Sequence, residues 1–382
     1  MRKATARLQR LADKLTATDW HNGVAISIFD QATGAELHIG SGELDTRTPF
    51  FATHITKLFV SAIILQFVTE NRLSLEDKMI DHIGYCSHCK ELHVIDGVDY
   101  TDQITIRHLM SHTSGLGDFF LFKMQARSLR HSMIDGIDSS WSFEEVMQRA
   151  RSHGGIAIPG ESKKATYTES NYQLLGRIIE NIEGKSLAEV IRDRIAGPLG
   201  LSSTYLYCDP SDHRPLNLMS RNREVYIPRA MASFQADGGV VTTAREGLIF
   251  IRAFFEGYLF DKAALPLLYD WRPLFFPARF GVGLLELQVP RWMALRHRLR
   301  MHTRHIFKRP PLCLGTVGLG NAVFLYAPDE GVYISGTANQ LVDPERSVSL
   351  ALRAIEEVAR YGRHEVYGEK GISAQPAIGL AE

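Results

Sequence analysis

Neither sign of charge is in excess in this chain. It has 43 Lys and Arg against 43 Asp and Glu, for a net charge of zero. A balanced chain has no general field to draw it to nucleic acid or an anionic membrane, so neither is an expected partner. Cysteine is scarce, with four residues at 86, 89, 208 and 313. Cys86-Ser87-His88-Cys89, with His82 and His93 nearby, has the outline of a zinc site. One C-x-x-C with loosely spaced histidines is more often a loop with reduced thiols, and no metal or other cofactor is expected. No apolar run reaches membrane-spanning length without charge. The N-terminus is amphipathic, with Leu8, Leu11 and Leu15 at helical spacing, and has no unbroken apolar core of a signal peptide. These features point to a cytoplasmic protein. There is no internal repeat, no low-complexity linker and no G-x-S-x-G nucleophile elbow.

The chain does have enough apolar sequence for a large core. Its 382 residues are 45% hydrophobic and 23% charged, which suffices for one large or two interleaved cores. Segment 23–40 alternates apolar and polar residues about a D-Q-A-T-G turn and predicts a β-hairpin. A helix from residue 54 to about 70 is apolar nearly all round, the pattern of a helix buried between layers. Helical periodicity dominates 104–200, most clearly over 172–195, and returns at 244–258 and 344–361. Segments 280–289, 321–327 and 331–337 read as strands. Strands at both ends with helices between predict an α/β (α+β) fold, in which an antiparallel sheet is flanked by helices and carries an inserted helical subdomain. The expected division is 1–60 with 240–365 as a discontinuous α/β domain, 61–239 as the helical subdomain, and 366–382 as a mobile tail. The cleft is expected at the junction.

The helix from residue 54 opens on Thr53-His54-Ile55-Thr56-Lys57. This resembles the S-x-x-K motif of serine β-lactamases and penicillin-binding proteins, whose Ser is the acyl acceptor and whose Lys lies one turn later. Lys57 is present, and His54 holds the serine position. Further segments resemble class C β-lactamase-related serine hydrolases: Q-I-T-I-R-H-L-M-S-H-T-S-G-L-G at 103–117, Y-T-E-S-N-Y-Q-L-L-G-R-I-I-E at 167–180, A-G-P-L-G-L-S-S-T-Y-L-Y at 196–207, and Y-I-S-G-T-A-N-Q closing 315–340. The matches run in the family's order from about residue 20 to about 360. The resemblance implies the architecture read above.

It also implies a set of site residues. The Y-x-N motif becomes Tyr167-Thr168-Glu169, keeping the Tyr that serves as proton shuttle or base and placing a carboxylate near Lys57. An ion pair there would make Lys57 a poorer base. The K-T-G or H-x-G motif maps to Thr316-Val317-Gly318, which puts Thr316 where a cation or imidazole is usual. Gly318 leaves room for a ligand to approach the backbone. The amides of His54 and Leu319 correspond to the family's oxyanion hole. Thr53 is an expected helix N-cap. His54, at a helix N-terminus beside Lys57, is expected as a neutral imidazole that accepts one hydrogen bond and donates another. Phe119 and Phe120, with Phe122, suggest an apolar substrate wall.

The departures cluster at the catalytic positions while the scaffold segments look intact. That favours a protein that keeps a pocket for a small acyl or peptide-like ligand without conventional serine acyl-enzyme hydrolysis, a pseudoenzyme or binding role. Two alternatives stay open. One is an enzyme using His54, Lys57 and Tyr167 for acid–base or acyl-transfer chemistry. The other is an esterase or amidase with a displaced nucleophile such as Thr53. Residues 291–309 carry seven Lys or Arg, three His and no acid. They read first as a solvated basic hairpin and second as a docking patch for an anionic partner.

Overall fold

The computed structural model describes residues 1–17, 23–84, 86–121, 127–290, 310–342 and 344–368. The basic segment 291–309, Phe122 and the tail from 369 lie outside the described residues.

An eight-stranded antiparallel sheet forms the frame. Its strands are β1 (Gly23–Asp30), β2 (Ala35–Gly42), β3 (Arg272–Phe275), β4 (Ala278–Phe280), β5 (Leu285–Gln288), β6 (Leu312–Val317), β7 (Val323–Ala327) and β8 (Val332–Thr337). Their spatial order is β3-β4-β5-β6-β7-β8-β1-β2. β1 pairs with β8, Ala25 opposite Thr337, so the two ends of the chain meet in mid-sheet. The predicted hairpin is β1–β2, with Asp30 opposite Ala35 across the turn. The predicted strand over 280–289 is instead the end of β4, a turn, and β5. Gly283 turns the chain there with φ +79°, a conformation open to glycine at no steric cost.

Alternation along β1 divides the core in two. Val24, Ile26 and Ile28 pack with Ala4, Leu8, Ala12 and Leu15 of helix α1 (Arg2–Thr16) and with Ile355 and Val358 of the C-terminal helix. That helix runs over Pro344–Gly368, past its expected end at 361. On the other face, α4 (Ala244–Glu256) packs so close that a Cβ on Gly247 would lie 2.1 Å from the Phe324 ring.

Helix α2 (Thr56–Thr69) lies in the second core. Every residue from Thr56 to Phe67 is buried, so the helix has almost no polar face, as its sequence predicted. It stops where Asn71 takes the left-handed conformation, φ +56°. The Arg72 N–H donates to the Phe67 carbonyl and the Asn71 N–H to that of Val68, a Schellman cap. The stretch predicted as helical over 172–195 is broken. Helix α3 (Ser170–Glu183) ends at Gly184, φ +64°, and a new helix begins at Leu187 behind a Ser186 cap.

Cys86 and Cys89 correct another expectation, because they form a disulfide and are not free thiols. The 3-10 turn Ser87–Cys89 folds the chain back and brings their Cα atoms to 5.3 Å. Among the described residues no three His, Cys, Asp or Glu gather as a metal site, and no helix is long and apolar enough to cross a membrane.

Candidate active site

Two short segments lie side by side and build the site. Phe50–Phe51 pairs with Val241–Thr242, and the Ala52 N–H donates to the Val240 carbonyl at 2.8 Å. A 3-10 turn, Thr53–Ile55, then leads into α2, while the Val240 N–H donates to Thr56 Oγ1 at 3.0 Å. The turn Gln235–Asp237 is thereby held against the first turn of α2.

Lys57 projects from that turn into a closed environment. Its Nζ donates to Glu169 Oε2 at 2.5 Å and to the Asp237 carbonyl at 2.6 Å. Among the described residues no hydroxyl bonds to it. The rings of Tyr167 and Tyr172 flank the ammonium, each with its centroid 5.3 Å away. Glu169 stands at the N-terminus of α3, and its own N–H donates to Asp118 Oδ2 at 2.8 Å. Burial alone would raise the Glu169 carboxyl. Lys57, and after it His54, outweigh burial and hold it below the usual carboxylate range.

His54 lies at the outer side of this pair. Its Nε2 is 3.0 Å from Glu169 Oε1, without the alignment of a hydrogen bond, and its side chain is 21% exposed against 3% for Glu169. The Tyr167 ring lies between the imidazoles of His54 and His112, with centroids at 5.8 and 4.4 Å. The Tyr167 hydroxyl is buried and has no hydrogen-bond partner. Burial, then the charge of Glu169, push it well above its ordinary value. It is a phenol that can donate a hydrogen bond, not a phenolate base.

Thr53 departs from its expected role as an N-cap. Its backbone has φ +49°, an outlier for a β-branched residue. Its hydroxyl turns to the 3-10 turn that follows β6 and donates to the Leu319 carbonyl at 2.7 Å. Gly318 fits beneath it: a Cβ there would stand 2.5 Å from Thr53 Oγ1 and 3.2 Å from the His54 nitrogen. Gly318 and Leu319 therefore meet the turn that carries His54. Thr316 is buried on β6 opposite Phe324. Phe119 and Phe120 do not form an open wall. They are 0% and 2% exposed and pack with Trp141, Phe120 also edge-on to Phe234, so their rings fill the core.

Two residues of the site were not anticipated from sequence. Asp237 is fully buried with both carboxyl oxygens unpartnered. Burial, then the charge of Glu169, push its carboxyl well above the usual range. The one signal was an acid inside the apolar run before Gly238-Gly239. His112 had been grouped with the scaffold. Its Nδ1 lies 3.3 Å from the Thr168 N–H and 3.3 Å from Asn171 Nδ2, and its Nε2 is buried without a partner. Burial, then Lys57, lower it to about 3.

A sheet flanked by helices, with a lysine and a tyrosine gathered at the head of a buried helix, is the arrangement of the β-lactamase and penicillin-binding-protein class of fold. The β-lactamase family model matches residues 8–359, and the chain belongs to that family. Penicillin-binding protein 4 of Amycolatopsis lactamdurans is 26% identical over 205 residues, 51% of this chain and 48% of that protein. Esterase EstB of Burkholderia gladioli is 27% identical over 155 residues, 40% of this chain and 37% of that one. The chain thus spans half or less of the length of these curated relatives. Among solved structures, the D-amino acid amidase of Ochrobactrum anthropi SV3 complexed with L-phenylalanine has a TM-score of 0.73 at 20% identity, covering 94% of this chain and 99% of that one. The D-stereospecific amidohydrolase of a Streptomyces species gives 0.70 at 20% identity, covering 90% and 97%. These structures show the shared fold.

Proposed function

We propose that the chain binds a small acyl or peptide-like ligand, such as an amino-acid amide, in the cleft at His54, without forming a serine-type acyl-enzyme. The state of Lys57 carries this reading. A lysine that activates a hydroxyl needs a lone pair, and here the amine is committed to Glu169 and the Asp237 carbonyl. The candidate hydroxyl of Thr53 is engaged with the Leu319 carbonyl. His54 stands where the S-x-x-K pattern has serine, and its backbone nitrogen lies close to Gly318. The ligand class is drawn from structural neighbours that hold L-phenylalanine and L-phenylalanine amide.

The test is intact-protein mass spectrometry with a fluorophosphonate and a penicillin, beside calorimetry with L-phenylalanine amide. The reading expects no adduct, and saturable binding that His54→Trp removes. An adduct that Thr53→Ala abolishes would overturn it.

A second reading rests on the 3.0 Å approach of His54 to Glu169. A carboxylate behind an imidazole orients it as a general base for water. Turnover of p-nitrophenyl esters without any adduct, lost in His54→Ala, would favour this reading. Full turnover in His54→Ala would end it.

A further inference from the structure

A cavity of about 490 Å3 lies behind the Lys57–Glu169 pair, between α3 and the segment that leads to Asp237. It shares both walls with the site. Glu169 begins α3, and Gln173, Gly176, Arg177 and Glu180 follow on the helix and line the cavity. The opposite wall includes Gln235 and Ala236, immediately before the residue whose carbonyl holds Lys57.

The lining has two chemical halves. Trp141, Phe143, Leu187 and Pro210 give an apolar side. Trp141 is 8% exposed, and its indole N–H is buried without a hydrogen-bond partner. Arg177 and Arg229 give a cationic side. The Arg177 guanidinium lies over the Phe143 ring, 4.6 Å from its centroid, and 3.7 Å from Glu180. Arg229 has no carboxylate at its guanidinium among the described residues. Its side-chain contact is the Ser140 hydroxyl at 3.4 Å. The Asp138 carboxylate accepts from the backbone N–H groups of Arg229 and Ala230, at 3.2 and 2.8 Å, which leaves the Arg229 guanidinium without a direct carboxylate partner among the described residues, beside the aromatic surface. Gln235 holds φ +45°, with its amide donating to the Ala232 carbonyl at 2.6 Å. This backbone is held in a sparsely populated conformation where the cavity adjoins the site.

We propose that this cavity is a second ligand site, separate from the His54 cleft, for a small organic carboxylate with an apolar body. The carboxylate pairs with Arg229, and the body lies along Trp141, Leu187 and Pro210. A guanidinium suits a carboxylate in a bidentate fork. The apolar wall excludes water from one side of that pair and strengthens it.

Isothermal calorimetry with 3-phenylpropanoate tests the proposal, with 3-phenylpropan-1-ol as the uncharged control. The expected result is saturable one-site binding of the acid that weakens with added salt, and little binding of the alcohol. Arg229→Gln, at an exposed position, weakens binding by about tenfold or more. Ala232→Trp, which fills the cavity, removes binding while the melting temperature is kept, and His54→Ala leaves it unchanged. The proposal is overturned by absence of saturation at millimolar acid, or by equal binding of acid and alcohol. It is also overturned if Arg229→Gln retains binding and His54→Ala loses it. The acid would then occupy the His54 cleft, and the reading of that cleft would stand without this site.

Discussion

Lys57 and Glu169, 112 positions apart in the chain, meet at 2.5 Å with both side chains 3% exposed. On the reading proposed above, this contact, and not only the residue at position 54, keeps the Lys57 amine from a hydroxyl. Restoring serine alone is therefore insufficient. His54→Ser is expected to label with a fluorophosphonate slowly, and His54→Ser/Glu169→Asn at least about tenfold faster. Labelling rates by intact mass check this, and equal rates would show that Glu169 does not restrain Lys57.

His112 ties stability to acid pH. It is lowered from 6.5 to about 3 in the folded chain, so between those values the unfolded chain binds the extra proton. Stability contributed by this residue is complete above about pH 6.5 and is lost as pH falls towards 3, by roughly 5 kcal/mol at most. His112→Asn, which tolerates the local φ of +55°, is expected to flatten that part of the urea-midpoint profile. An unchanged acid limb would place the protonation elsewhere.

Asp237 acts with the opposite sign. Its folded carboxyl holds a proton that the unfolded chain releases above about 3.8, so the residue costs stability progressively as pH rises. Asp237→Asn keeps the shape and removes the titration. It is expected to be more stable than the parent by about 1 kcal/mol or more at pH 8, with the gain fading near pH 4. Chemical denaturation at the two pH values measures the difference.

Thr53 reverses an ordinary ranking. At most positions glycine is less stable than alanine by about 0.5–1 kcal/mol. Here φ is +49°, and both Thr53→Gly and Thr53→Ala lose the bond to Leu319. Glycine alone is free of the backbone strain, so Thr53→Gly is expected to exceed Thr53→Ala by about 1 kcal/mol. Alanine above glycine would mean that the turn relaxes in the variant.

Much of this was legible in the sequence for identifiable reasons. The apolar run of α2, the alternation in β1 and β2, and the ordered family segments each reflect burial that repeats along the chain. The approach of Glu169 to Lys57 followed from the family resemblance, which places the third residue of the Y-x-N motif beside the S-x-x-K lysine. Asp237 was invisible because its environment comes from segments distant in the chain and its own neighbours form no motif. The Thr53 cap failed because one backbone angle redirected the hydroxyl to Leu319. Phe119 and Phe120 showed aromatic content but not direction, and their rings point inward. Cys86 and Cys89 were judged by compartment, whereas the local 3-10 turn brings them together.

The complete burial of α2 has a consequence in time as well as space. Amide hydrogens between Thr56 and Phe67 have no solvent-facing side from which to open locally. They should exchange with deuterium only when the whole molecule opens. The residue before them, Ile55, bonds only one turn back, to Ala52. Position 54 thus lies at a kinetic boundary, with the slowest-exchanging helix on one side and a single 3-10 turn on the other.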